Sequence, residues 1–225
     1  MGKLCNFGPP MVRWLVGRLT VWFAVVLAAV LLAAMTMPLG ATTLEKLSLP
    51  EMAQKSTAVV RARVTGSAGV LRGSDVYTVY QLDAVEVWKA PASGAPREVA
   101  VPGGIAGGLR QPVDGAPALV EGREYVLFLW TSRTGLTQLI GLSQGLFDVR
   151  TADGAKPAPG RSPLDAKNLW VWRSPASERM LDSQGRPVRD EAVSMKLTDL
   201  KTQVSRALTQ APSAAAAARE AAEAR

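Results

Sequence analysis

Residues 76–89 read VYTVYQLDAVEVWK, and the phase of this stretch decides the fold. Successive side chains of a strand point to opposite faces, so buried residues recur at every second position. Leu82 and Ala84 take buried positions opposite Gln81 and Asp83; then Val85 and Val87 take them opposite Glu86. The pattern slips by one residue, which would turn every later side chain to the other face. A β-bulge absorbs such a slip and bends the strand. Bulged, strongly bent strands suit a small barrel.

The flanking segments extend this reading. Upstream, Val60, Ala62 and Val64 point one way while Arg61, Arg63 and Thr65 point the other, the period of a half-buried strand. Gly66 to Ser74 is rich in Gly and Ser and is expected to be a loop. Downstream, Val99 and Val101 mark a short strand that ends at Pro102. Residues 103–118 contain Gly103, Gly104, Gly107, Gly108, Pro112, Gly115 and Pro117, so a long exposed loop is expected. Tyr125 to Trp130 (YVLFLW) is apolar on both faces and therefore central in its sheet. Thr131 to Gly135 turns it into Leu136–Leu142, and Leu146–Val149 adds a short strand with Phe147 and Val149 on one face.

Helices are expected at both ends. Ser48, Leu49, Pro50 and Glu51 form a helix start with a capping box, predicting a helix over Leu49–Lys55. Leu197, Leu200, Val204 and Leu208 repeat at helical spacing, with Thr198 or Asp199 able to cap. Asp153-Gly154, Pro157, Pro159 and Gly160 read as a linker, Leu169–Arg173 as a strand, and Gln184 to Pro187 as a turn. The expected organisation is a β-barrel core over 42–150, a strand-plus-helix segment over 151–210 and a low-complexity Ala-rich tail over 211–225. The fold class is mostly β: an OB-like small β-barrel or sandwich with an N-terminal helix and a C-terminal helix.

Residues 1–41 read as an export segment. Leu19 to Leu44 carries no charge, Lys3, Arg13 and Arg18 precede it, and MPLGATT closes it with small, turn-prone residues. These are the parts of a secretory signal, cut near Ala41. The run is also long enough to be an uncleaved anchor over residues 19–39. Met11 is an alternative start, and Cys5, upstream of the apolar run, cannot be a lipoprotein cysteine. Either reading places the rest outside the cytoplasm: periplasmic or secreted, or held at the inner membrane.

Composition excludes several chemistries. The 225 residues contain no histidine and one cysteine, Cys5. The usual base of a Ser or Cys triad is missing, as are the usual ligands of zinc, haem and iron–sulfur clusters. No cofactor and no metal is expected. Without residues 1–41, which hold three basic residues and no acids, 23 Lys+Arg face 19 Asp+Glu, a net +4. That is too mild for a nucleic-acid binder.

The glycines of VPGGIAGG lack both the Gly-Lys-Ser/Thr and the G-x-G-x-x-G spacing of phosphate cradles. The loop is a binding candidate only through Arg110 at its tip. Trp170 and Trp172 flank Val171 on one strand face and could stack a sugar or a peptide; otherwise they cover a core edge. Among the carboxylates, Asp83, Glu86, Asp114, Glu121 and Glu124 read as surface charge, although a hydrolase could pair two of them. Ser194-Met195-Lys196 is not a Ser-x-x-Lys motif, and neither Asp-Thr-Gly nor Asp-Ser-Gly occurs.

The pieces TTLEKLSLPEM, AVVRARV, YTVYQLDAVEVWK, VPGG, DGAP, EYVLFL and GLSQGLFDV resemble a class of uncharacterised bacterial exported proteins over residues 42–150. Their arrangement is also similar to OB-like barrels of the netrin and metalloproteinase-inhibitor kind. Those inhibitors depend on cysteines that this chain lacks, so no inhibitory residue is carried over. The function expected is an exported, non-enzymatic domain that binds a protein, a peptide or an envelope glycan, with Arg110, Trp170 and Trp172 as binding residues. The alternatives are an envelope hydrolase using paired carboxylates and a structural envelope component held by its anchor, the only contact with the membrane. Intact-mass analysis of the exported protein is expected to give a chain starting near Thr42; a mass that includes residues 12–41 would establish the anchor.

Overall fold

Ala58–Arg72 (β2) and Asp75–Lys89 (β3) pair along their whole length as one antiparallel hairpin that turns at Gly73 and Ser74. The loop expected over Gly66–Ser74 is therefore strand almost to its end, because backbone pairing with β3 overrides its loop-like composition. The computed structural model describes residues 43–151, 168–176 and 178–223, with side chains up to residue 210. The expectations for the export segment, Cys5, Met11 and the linker fall outside these residues.

The register of the hairpin slips three times. Val85 lies between the pairs Arg61↔Glu86 and Ala62↔Ala84, where the sequence pattern changes phase. Trp88 is a second unpaired residue on β3, and Thr65 is one on β2. Each bulge adds twist. Beyond Gln81, β3 has lost its outer neighbour Glu98–Pro102 (β4), and Ala84 and Val87, expected to be buried, are exposed there.

Glu124–Thr131 (β7) pairs with β2 on one side and with Thr137–Leu139 (β8) and Leu146–Thr151 (β9) on the other. Leu169–Arg173 (β10) and Val193–Lys196 (β13) continue the same sheet, giving the order β13-β10-β9-β7-β2-β3-β4. Between β8 and β9 the chain makes an excursion at Gly141–Gln144. Phe128 holds both sides of it: its N–H donates to the Gly145 carbonyl and its carbonyl accepts from Ile140, each at 2.9 Å. The excursion drives the Gln144 amide inward. That fully buried side chain donates to the Glu45 carbonyl and accepts from the Leu47 N–H, both at 2.9 Å, so it ties to the core Thr43–Glu45 (β1), which forms a small separate sheet with Arg179–Leu181 (β11) and Pro187–Val188 (β12). Gly141 allows this, since its φ is +60° and a Cβ there would meet the Gln144 side chain at 2.9 Å.

The sheet buries both faces. On one, Val59, Val126, Phe128, Phe147, Val149 and Val171 pack beneath Leu49–Lys55 (α1) and Leu197–Glu223 (α2). On the other, Val60, Ala62, Leu127, Leu129, Leu82 and Val101 face one another as the β2–β3–β4–β7–β8 part curls inward. This half is an open barrel, with no ladder joining β4 to β8 among the described residues. The fold is mostly β, with two helices among the described residues.

The capping box of α1 is present: Glu51 accepts from the Ser48 N–H at 2.8 Å, and Ser48 Oγ accepts in return from the Glu51 N–H. Lys89 closes the other end by donating to the Ala53 and Gln54 carbonyls at 3.0 and 2.9 Å. Helix α2 begins at Leu197, directly after β13, so it starts ahead of the expected caps Thr198 and Asp199, which are exposed in its first turn. It buries Leu197, Leu200, Val204 and Ala207. Lys201 pairs with Glu86. Burial alone would raise the Glu86 carboxyl, but hydrogen bonding to Lys201 and the positive field of Lys201 and Arg61 hold it below its usual range.

Residues 103–118 are not a continuous loop. Gly104–Ala106 (β5) and Leu109–Gln111 (β6) form a hairpin that lies against β2 and β3. A Cβ on Gly69 would sit 1.9 Å from the Ile105 carbonyl oxygen, so only glycine permits that approach. Phe128 packs against Phe147 at 5.6 Å on the helix side of the sheet, not inside the barrel. Phe128→Ala should cost about 3–5 kcal/mol by chemical denaturation. Arg110→Ala, on the exposed hairpin, should change stability by less than about 0.5 kcal/mol. Equal losses would mean that Arg110 is packed and would overturn this arrangement.

Candidate functional site

Leu169, Val171 and Arg173 turn toward the helix side of β10, so Trp170 and Trp172 emerge together on the opposite face. The register sets what stands beside them. Trp172 lies opposite Asp148 of β9 and Ser194 of β13, and Asp148 in turn lies opposite Tyr125 of β7. One step along, Trp170 lies between Arg150 of β9 and Lys196 of β13. Residues directly opposed across a ladder share a face. The face therefore carries two rows, Tyr125–Asp148–Trp172–Ser194 and Arg150–Trp170–Lys196.

Tyr125, Asp148 and Trp172 of the first row floor a cleft of about 270 Å³. One wall is Gly115, Pro117 and Ala118; the other is Ser174, Pro175 and Glu178. The walls meet where the Glu178 carboxylate lies over Gly115, leaving no room for a Cβ on that residue, whose φ is +76°. At the floor, Asp148 Oδ2 accepts from two guanidinium groups, those of Arg123 and Arg150, the latter at 2.6 and 2.7 Å. Asp148 Oδ1 and Ser143 Oγ are enclosed there with no hydrogen-bond partner among the described residues. The Arg123 guanidinium also stands over the Tyr125 ring, 5.6 Å from its centroid. Burial raises the Tyr125 phenol above its ordinary value, and its oxygen accepts from the Val120 N–H at 3.0 Å. Neutral Tyr125 thus anchors the segment that leads from the first wall into β7.

Of the residues singled out from sequence, Trp172 lines this cleft and Trp170 adjoins it. Trp172 is 38% exposed. Arg110 is elsewhere: it lies on β6 opposite Ile105, exposed, and is not part of the cleft. The glycine-rich stretch holds the β5–β6 hairpin down, with the Thr78 hydroxyl donating to the Gly103 carbonyl at 2.9 Å.

The carboxylates divide. Asp83, Asp114 and Glu121 are exposed. Glu124, read from sequence as surface charge, is 4% exposed and locked to Arg61 at 2.6 and 3.0 Å and to Arg63 at 2.6 Å. Glu86, likewise read as outward, lies partly covered beside Lys201. Asp148, Arg123, Arg150 and Tyr125 were not recognisable as site residues in the sequence. The one available signal was the alternation of Phe147 and Val149, which puts Asp148 and Arg150 on the other face.

A second cleft of about 250 Å³, lined by Met52, Phe147 and Met195, encloses the buried Arg173–Asp190 pair at 2.8 Å. Asp190 also accepts from the Ala176 N–H at 2.9 Å. This pair fixes the segment after β10, and hence the second wall of the first cleft. No group of three or more metal-ligating side chains occurs among the described residues.

Tyr125→Phe removes the hydroxyl acceptor of the Val120 N–H without emptying the site. It should lower stability by about 0.5–1.5 kcal/mol in thermal or chemical denaturation. It should also raise hydrogen exchange at Val120 selectively; unchanged exchange there would show that the phenol does not anchor the wall. No protein-family model and no curated protein matches the chain, so the site is read from its own geometry.

Proposed function

We propose that this chain is an exported binding domain without enzymatic activity, and that it takes its ligand on the β9–β10–β13 face and in the adjoining cleft. The observation that carries this reading is the pairing of Trp172 with Asp148 beside an open cleft. An indole offers a flat apolar surface, and the guanidinium groups held on Asp148 and the exposed Ser174 and Ser194 beside it offer directional hydrogen bonds. Polar ligands with one apolar face, such as sugars and extended peptides, match that combination. The cleft is small, which suits one unit of a chain-like ligand more than a folded partner.

The paired-carboxylate hydrolase has less support. Asp148 has one oxygen committed to two arginines, and Glu124 is committed to two others. A general acid needs a carboxyl free to hold and deliver a proton.

Screening the full-length protein on a mixed array of bacterial envelope glycans and peptides tests the proposal. Retention is expected on a subset of spots, and Trp172→Ala should weaken it at least about tenfold, the size of effect of losing a stacked aromatic anchor. Trp130→Ala removes another exposed indole, 45% exposed on β7, and should leave retention unchanged. No retained spot, or equal loss with both variants, would overturn the assignment of the site.

A further inference from the structure

We infer that the ligand is an acidic saccharide whose carboxylate sits above Trp170, between Arg150 and Lys196. This rests on the binding face just proposed and names the chemistry it selects.

Arg150 and Lys196 are the direct cross-strand neighbours of Trp170, one on each side. Adjacent strands lie about 4.8 Å apart, so the two cationic stems rise about 10 Å from one another with the indole between them. Lys196 is long enough to lean over it, and Arg150, held on Asp148 through Nε and Nη2, brings its guanidinium up from the other side. Lys196 is exposed and has no ion-pair partner among the described residues. Arg150 is 38% exposed; it uses Nε and Nη2 on Asp148, and its remaining donors lie outside that contact. The charges on the two rows are Arg150 and Lys196 against Asp148, with Arg123 behind Asp148 and Glu178 across the cleft at the wall. The negative groups lie on the cleft side. Arg150 spans the two rows, its stem beside Trp170 and its guanidinium reaching Asp148 at the cleft floor, while Lys196 stands on the other side of Trp170, away from the cleft.

A ligand that satisfies both rows needs three properties. It must present flat apolar faces to two indoles spaced about 7 Å apart along one strand, a spacing within reach of successive rings of a linear sugar chain. It must carry an anion over Trp170 for two cations. It must offer hydroxyls toward Ser194, the exposed residue across from Trp172, whose hydroxyl can donate or accept. A glycan bearing uronic-acid or similar carboxylated units has all three. An acidic peptide supplies the anion, but its side chains lack the repeated flat faces.

Titration calorimetry on the full-length protein with three defined probes separates these readings: a tetramer of galacturonic acid, the same tetramer with its carboxyls methyl-esterified, and a tetraglutamate peptide. The uronate tetramer should bind, and the esterified tetramer at least about tenfold more weakly, because the ester removes the charge and keeps the rings. Raising salt from 0.05 to 0.5 M, values chosen to shorten the screening length severalfold, should weaken the uronate markedly. Lys196→Gln alters an exposed side chain with no ion pair to lose, so folding is spared, and it should weaken the uronate about three- to tenfold with little change for the ester. Equal binding of uronate and ester would overturn the acidic assignment while leaving the binding face intact. Tetraglutamate binding as tightly as the uronate would overturn the saccharide assignment in favour of an acidic peptide. If none of the three binds, the inference fails; the Trp172→Ala comparison on the array then decides separately whether the face binds anything.

Discussion

The strand pair β2–β7 is apolar on both faces, and the rest of the fold answers that constraint. Val59 faces Phe128 on one side of the sheet, while Val60 and Leu127 face each other on the other. All four are fully buried. Each such side chain contributes about 1.5–3 kcal/mol when removed from water, so neither face can be left bare. A single layer cannot cover both. The helices α1 and α2 cover one face, and the sheet covers part of the other by folding over itself. The three register slips in β2 and β3 supply the bend for that curl, and the glycines at 69 and 104 let the β5–β6 hairpin lie close against it.

The central layer was legible because it rests on local pattern. YVLFLW is apolar at every position, AVVRARV alternates, and the phase change in the long strand falls where the backbone bulges at Val85. The Ser48–Glu51 box was legible for the same reason, since capping is settled within four residues. What misled was composition without pairing. Gly66–Arg72 looks like a loop, yet glycine is tolerated in a strand where another backbone must approach, and Gly69 is such a place. The β5–β6 hairpin was hidden likewise, because three-residue strands carry too few side chains to show a period.

The site was half legible. Alternation about Val171 was enough to put Trp170 and Trp172 on one face, but not to say which residues stand beside them. That depends on the register between β9, β10 and β13, which is fixed by pairs far apart in the chain. Asp148 and Lys196 meet the tryptophans only because the core side of each strand must stay in phase: Phe147, Val149 and Val171 share one cluster. A slip of one residue would bury the charges and expose the core. Glu124 was misread for a related reason. A charge at the start of an apolar strand looks like a surface residue until Arg63 is placed directly opposite and Arg61 beside it. Removing that carboxylate would leave two guanidinium groups without a counter-ion, one of them buried, and that is the costly direction for a buried pair.

The same accounting of faces bears on the surface proposed to bind. The helices end the exposure of one side, and the curl encloses the other only as far as Tyr125 and Leu127 of β7. Beyond that line, β9, β10 and β13 keep their backs on the helix-side core and turn Asp148, Arg150, Trp170, Trp172, Ser194 and Lys196 outward. If this surface had only to be solvated, short polar residues would serve at no apolar cost. It carries two indoles and a cleft whose floor holds Asp148 Oδ1 and Ser143 Oγ unsatisfied. Each enclosed polar atom without a partner costs about 1–3 kcal/mol, and the exposed indole adds to it. Unpartnered polar atoms occur elsewhere too, at Trp88 Nε1 and Arg173 Nε, and Trp130 is the more exposed indole, so what sets this face apart is that an aromatic surface, charges and enclosed polar atoms meet beside one cleft. The proposed ligand site rests on that conjunction, which neither the helix-side core nor the curled half of the sheet repeats.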